Sequence, residues 1–351
     1  MAELPPKNCV IIGPSQSGKT SLLGVLQFAT AQQAEQPDRA LSIFPVSPDM
    51  GELIALSNAA AQQGRLPITA TQSVKRYVFD YEITHNKHRG TFRQVSRTRF
   101  SMIDTPGGAV LGERSRWAEA GLVVDEMEAA RAEVVQQLRT ANYIILCADS
   151  TDDAAAVDFV QYLPTALMET GTGKLPCEKL VICLTKADMY SVEEPGLGRR
   201  DNVIYRDQFS YEDPVARALR VISRAGLNTL RMYLNENTEI RVGWASVYGF
   251  DPKDGRPNYN PESNGLLIDS TLGAKPADIL ERWQPYQVID PFVFLTMGDT
   301  MDLKRMPTLV SGVAGVHPPP IFQRFEPSVG RFRLAMERLR AWFRVLVEFV
   351  R

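Results

Sequence analysis

The sequence predicts an α/β fold, in which short buried strands alternate with helices. Three observations predict it. A β-branched run at 8–12 passes directly into a Gly-containing loop and then into apolar residues at helical spacing, Leu22, Leu23, Val25, Leu26 and Phe28. Strand-sized apolar runs recur at 100–104, 141–148, 180–184 and 240–247, each ending in a polar turn. Between them lie longer stretches with apolar residues every three or four positions.

Composition sets outer bounds. The 351 residues carry 39 Lys+Arg against 41 Asp+Glu, a net charge of −2, with 44% apolar and 23% charged residues. That is the balance of an ordinary globular chain. It excludes a wholly disordered one. With 24 Gly, 23 Pro and 4 Cys, collagen-like and disulfide-scaffold classes are excluded as well. Near-neutral charge argues against dedicated duplex binding, so no nucleic-acid partner is expected, although a local basic patch stays open. Apolar runs such as 143–148 and 181–184 are far below the ~20 residues of a spanning helix. No apolar signal region opens the chain. Cys9, Cys147, Cys177 and Cys183 lie in or beside strand-like runs. They read as small buried hydrophobes of a reducing, cytoplasmic compartment. His85 and His88 read as polar loop residues rather than metal ligands.

The first element carries the most specific signal. Gly13-Pro14-Ser15-Gln16-Ser17-Gly18-Lys19-Thr20 is GxxxxGK[ST] between a strand and a helix, the context it requires. Glycine freedom lets successive N–H groups turn toward phosphate oxygens. The helix N-terminus adds partial positive charge. Lys19 is expected to reach the β- and γ-phosphates and Thr20 to offer Mg²⁺ a hydroxyl. Gly13, Ser15, Gln16, Ser17, Gly18 and Ser21 complete the expected phosphate-binding set.

Residues 29–66 follow as an Ala/Gln-rich insertion containing a helix at 49–63. Residues 74–83 and 95–103 read as a β-hairpin with a charged tip at Lys87, His88, Arg89 and Arg93. The tip keeps an edge solvated or meets an anionic partner. The second arm ends in Asp104-Thr105-Pro106-Gly107, a DxxG at a strand end. Asp104 can hold Mg²⁺ through water, and Gly107 can bring a backbone N–H to a γ-phosphate because it lacks a Cβ. Residues 113–140 read as a long helix and 157–168 as another, with Asp152 and Asp153 at a helix start. The run 180–184 ends in Thr185-Lys186-Ala187-Asp188. Asp188 can accept from the ring N–H and exocyclic amine of guanine, an edge adenine lacks, while Lys186 lays its stem across the base. The last core strand ends at Ser246-Val247, where the Val247 N–H can donate to guanine O6.

Other stretches are coarser. Residues 193–213 read as a loop, 214–235 as one helix, 251–270 as a polar surface loop and 291–297 as a closing helix, with a strand as the alternative. Residues 301–327 hold five prolines and read as a linker or arm. Residues 328–351 form an amphipathic helix with six arginines and two glutamates. It suits a partner or oligomer contact, docking on its own domain, or an anionic membrane surface.

These ordered motifs resemble the Ras-like, translation-factor-related P-loop GTPases, over roughly residues 7–250; the long insertions also resemble bacterial conflict-system GTPases of the double-GTPase type. The resemblance implies a G domain over 1–300: a mostly parallel, doubly wound sheet of about six strands. Its insertions fall at 29–66, 108–135, 190–235 and 251–285. It implies GTP/GDP and Mg²⁺ as ligands, with Thr20, Asp104 and a switch threonine around the metal. Thr69 is preferred over Thr71 for that threonine. Lys19, Thr69, Gly107 and Arg114 form the expected catalytic set. The water-positioning Gln of Ras-like enzymes is replaced by Gly108. Hydrolysis is therefore expected to be slow, or completed by Glu113, Arg114, Arg116 or a partner. Two functions follow: a GTP/GDP switch that engages a protein effector, or a scaffold that binds nucleotide and hardly turns it over. A P-loop ATPase or kinase is a third, and it requires Thr185–Asp188 to be coincidental.

Overall fold

The computed structural model describes residues 7–14, 16–33, 39–62, 73–87, 92–105, 123–152, 174–193, 204–209, 212–260, 265–266, 281–299 and 301–306. The chain divides into two units, Met1–Pro307 and Thr308–Arg351. The second, with the helix expected at 328–351, lies outside the described residues.

The first unit is built on an eight-stranded sheet. Its strands are β1 (Lys7–Ile12), β2 (Arg39–Pro45), β3 (Lys75–Lys87), β4 (Phe92–Asp104), β5 (Tyr143–Asp149), β6 (Lys179–Thr185), β7 (Glu239–Trp244) and β10 (Lys304–Arg305), in the order β10-β7-β6-β5-β1-β4-β3-β2. The strands from β4 to β7 through β1 are mutually parallel. The edge pairings β2–β3, β3–β4 and β7–β10 are antiparallel. A separate two-stranded ladder pairs β8 (Tyr259–Asn260) with β9 (Gly265–Leu266).

The central strands are near-continuous apolar runs because both of their faces are covered. On one face, Cys9, Ile11, Phe79, Tyr81, Phe100, Ile145 and Val181 share a core with α1 (Lys19–Gln33) and α8 (Asp290–Met297). Leu22, Leu23 and Leu26 of α1 are fully buried there. Each such side chain contributes about 1.5–3 kcal/mol through burial. Phe292 of α8 sits 5.0 Å from the Phe100 ring and 5.8 Å from that of Tyr81. The alternate residues Val10, Ile12, Leu146, Ile182 and Leu184 are also buried and, by strand alternation, face the other way. That side carries α3 (Val124–Thr140), which contacts β1, and α6 (Pro214–Val221), which contacts β6 and β7.

Several sequence expectations change. The sheet has eight strands rather than about six, because each edge gains one. The segment 29–66 is not a bare insertion. It finishes α1, adds β2 along β3, and continues into α2 (Pro48–Gln62). The hairpin is longer than expected, with β3 and β4 in register from Lys75↔Asp104 to Lys87↔Phe92. The stretch 193–213 contains the short α5 (Arg206–Phe209), after α4 (Ala187–Glu193). The single helix expected over 214–235 is two, α6 and α7 (Arg224–Tyr233). Ser223 breaks it with a left-handed backbone, φ 61°, and its side chain accepts from the Gly226 N–H. Residues 291–297 are helical, as expected. The expected arm at 301 begins as sheet, since Lys304 and Arg305 pair with β7.

Candidate nucleotide-binding site

Five strand ends converge on one edge of the sheet. β1, β4, β5, β6 and β7 run parallel, so the loops at their C-terminal ends share that edge, where open α/β sheets bind ligands.

The loop from Gly13 to Gly18 joins β1 to α1. A Cβ at Gly13 would collide with the Cys147 carbonyl oxygen of β5, so only glycine admits the loop this close. Gln16 and Gly18 both have left-handed backbone, at φ 58° and 75°. Interspersed left-handed residues turn successive N–H groups into an anion-binding concavity. α1 opens at Lys19 and adds its N-terminal end. Lys19 is buried, and its ammonium donates to the Gly13 carbonyl at 3.0 Å and the Pro14 carbonyl at 2.6 Å. Burial lowers its pKa, opposed by the Asp104 carboxylate. The Thr20 hydroxyl donates to Asp104 Oδ2. A hydroxyl and a carboxylate, the hard oxygen donors that Mg²⁺ takes, thus stand together. Beside them the Thr105 hydroxyl is buried without a partner.

This is a P-loop nucleotide-binding fold.

The second half of the site hangs on β6 and β7. Asp188 is 1% exposed, in the first turn of α4. The Ser246 hydroxyl donates to its Oδ1, while Oδ2 is buried with no partner. Burial pushes this carboxyl up from 3.8 to about 6, against the Ser246 hydroxyl, backbone N–H groups and nearby Lys186. Ser246 Oγ in turn accepts from the Gly249 N–H at 2.7 Å. The Val247 carbonyl accepts from the Trp283 indole at 2.8 Å, and Trp283 stacks on Phe28 of α1 at 4.5 Å. The two halves are tied directly. The Thr185 hydroxyl lies 2.8 Å from the Ser17 carbonyl and 3.1 Å from the Ala148 carbonyl, both acceptors.

The structure therefore gathers Gly13, Gln16, Ser17, Gly18, Lys19, Thr20, Ser21, Asp104, Thr185, Lys186, Asp188, Ser246 and Val247 at one sheet edge. Ser15, Thr69, Thr71, Gly107, Gly108, Glu113, Arg114 and Arg116 lie outside the described residues, as do the side chains of His85 and His88. Two residues of this edge escape sequence reasoning. Asp149 ends β5 and pairs with Lys186. Tyr248, buried two residues after Ser246, has its phenol pushed up chiefly by burial and then by the nearby Asp188 carboxylate. The signal for Asp149 in the sequence was its place as the first charged residue after the apolar run 143–148.

No family model matches the sequence, and a search of curated proteins finds no match. Among solved structures the chain is similar to the signal recognition particle receptor SRb-GTP/SRX complex from Chaetomium thermophilum, at 16% identity and TM-score 0.32 over 71% of this chain and 94% of that one. It is similar to SsGBP in complex with GDP, at 14% and 0.30 over 70% and 46%. The ADP-ribosylation-factor-like small COPII coat GTPase SAR1 from Encephalitozoon cuniculi, with GDP, gives 10% and 0.29 over 80% and 78%. Likenesses of this size leave the function to the geometry. Among the described residues, no helix is long and apolar enough to cross a membrane.

Proposed function

We propose that this chain is a guanine-nucleotide-binding protein that works as a GTP/GDP switch with slow or partner-assisted hydrolysis. The observation that carries the reading is the Asp188 carboxylate, buried at the sheet edge with Oδ2 free to accept. A buried acceptor without a donor costs about 1–3 kcal/mol. Guanine supplies two donors on one edge and removes that cost; adenine does not. Lys19 and the Gly13–Gly18 backbone hold the phosphates. Thr20 and Asp104 hold Mg²⁺, which when bound neutralises charge on the phosphoryl oxygens. Thr185 fixes the separation between the phosphate and base halves.

For turnover, Gly108 offers no side chain to orient water. The reading assigns Thr69 to the metal, the Gly107 N–H to the γ-phosphate, and Arg114 or a partner to charge stabilisation. Protein effectors would engage the segments that sense the γ-phosphate.

The test is calorimetric titration of GTP, GDP and ATP with Mg²⁺, on the native chain and on Asp188→Asn with XTP. Tight guanine binding, much weakened in the variant, which should instead prefer XTP, is expected. ATP binding equal to GTP binding overturns the reading. Multiple-turnover assays then separate a switch from a scaffold.

A further inference from the structure

Among the buried charges that the nucleotide reading leaves unused is Asp149. It ends β5, is 5% exposed, and its Oδ2 holds the Lys186 ammonium. Its Oδ1 is occupied by the Thr151 N–H at 2.8 Å and the Thr151 hydroxyl at 2.7 Å. One oxygen thus anchors the carboxylate in its own turn and the other faces the lysine. The turn is itself clamped. The Arg217 guanidinium of α6 donates to the Ser150 carbonyl, at 2.8 Å from Nε, and lies over the Tyr190 ring at 5.0 Å.

Lys186 is gripped at both ends. Its backbone is left-handed, φ 59°, a conformation that non-glycine residues adopt only where neighbours impose it. The Ser150 hydroxyl donates to its carbonyl at 3.2 Å, and the Tyr190 N–H donates to the same oxygen at 3.0 Å. The ammonium is tied across to the next strand end, where Asp149 is in register with Thr185. The four-carbon stem becomes a fixed apolar bar across the ends of β5 and β6, two residues before Asp188. A free lysine stem would have to be ordered on binding, at a cost in rotamer entropy.

We propose that Asp149 is a positioning residue for purine recognition: it holds the Lys186 stem in place to meet the flat face of the base. This rests on the guanine reading above. Asp149 acts through Lys186 and touches no nucleotide itself.

The test is a double-mutant cycle in GDP affinity, measured by calorimetry on Asp149→Asn, Lys186→Ala and the double variant, with thermal melting to confirm folding. Asparagine can still accept from Thr151 but meets the ammonium as an uncharged amide. Asp149→Asn should weaken GDP roughly tenfold or more, the scale of a charge-assisted hydrogen bond. In the Lys186→Ala background the same substitution should change affinity by less than about twofold. Equal losses in both backgrounds would assign Asp149 a merely structural role and overturn the proposal, as would a single variant within twofold of the native chain. A native chain that binds no guanine nucleotide overturns the reading beneath it, a separate result.

Discussion

Lowering the pH should switch off base recognition before it disturbs phosphate binding. The Asp188 carboxyl titrates at about 6 because it is 1% exposed, and the Ser246 hydroxyl and Lys186 only partly offset that burial. On the guanine reading the base needs the ionised form, since a protonated Oδ2 would meet its N–H groups donor to donor. At pH 7.5 nearly all of the free protein is ready to bind. At pH 5, one unit below the midpoint, only about a tenth is ionised, so affinity should fall roughly tenfold, or about 1.4 kcal/mol. The nucleotide's own phosphates gain protons over the same range, so the native curve alone does not isolate the carboxyl. The ratio of native to Asp188→Asn affinity for the same GDP does, because phosphate ionisation cancels. That ratio should be flat above pH 7 and drop with a slope near one below pH 6, measured by calorimetry or by displacement of a fluorescent GDP. A ratio that holds constant from pH 7.5 to 5 would refute the reasoning, because the free acceptor would not be Asp188.

Two further outcomes follow from packing and burial. Gly13→Ala must push the phosphate loop off the Cys147 carbonyl. It should cost about 1–3 kcal/mol in urea unfolding along with nucleotide binding, whereas Gly18→Ala, whose Cβ would lie 3.5 Å from Thr185, meets only the left-handed strain of about 1–2 kcal/mol. Asp290, buried at the start of α8, is raised from 3.8 to about 7, chiefly by burial and then by the neighbouring Asp302 carboxylate. The native fold therefore binds this proton more tightly than the unfolded chain, and stability drains away between about pH 4 and 7. Asp290→Asn should stabilise the protein above pH 7 by at most about 4 kcal/mol and hardly at all near pH 4, in paired urea titrations.

The geometry of the proposed phosphate half was legible because its causes are local. Gly13 to Thr20 are contiguous, and each role depends on backbone freedom or on a side chain within one turn. Asp104, Thr185 and Asp188 were legible for a related reason: an apolar run that stops at a polar residue marks a strand end, and parallel strand ends share an edge. What escaped was set by distant partners. β2 has a short, mixed sequence, and only its register along β3 makes it a strand. β10 is two residues long and exists because β7 offers an edge. The break between α6 and α7 sits at Ser223, whose left-handed backbone no helical periodicity reports. The Asp149–Lys186 pair joins two strands 37 residues apart, and neither residue alone announces the other.

That division bears on how the two halves of the site work together. The phosphate loop is held by β5 through Gly13 and by β6 through the Thr185 hydroxyl on the Ser17 carbonyl. The same Thr185 opens the segment that carries Lys186 and Asp188. On the guanine-nucleotide reading, a displacement of the loop by a phosphate would reach Lys186 and Asp188 through one hydroxyl and one strand end. The Asp149 turn, clamped by Arg217 from α6, opposes such movement on the far side of Lys186. On the guanine-nucleotide reading, base and phosphate recognition would therefore be mechanically one site along this sheet edge.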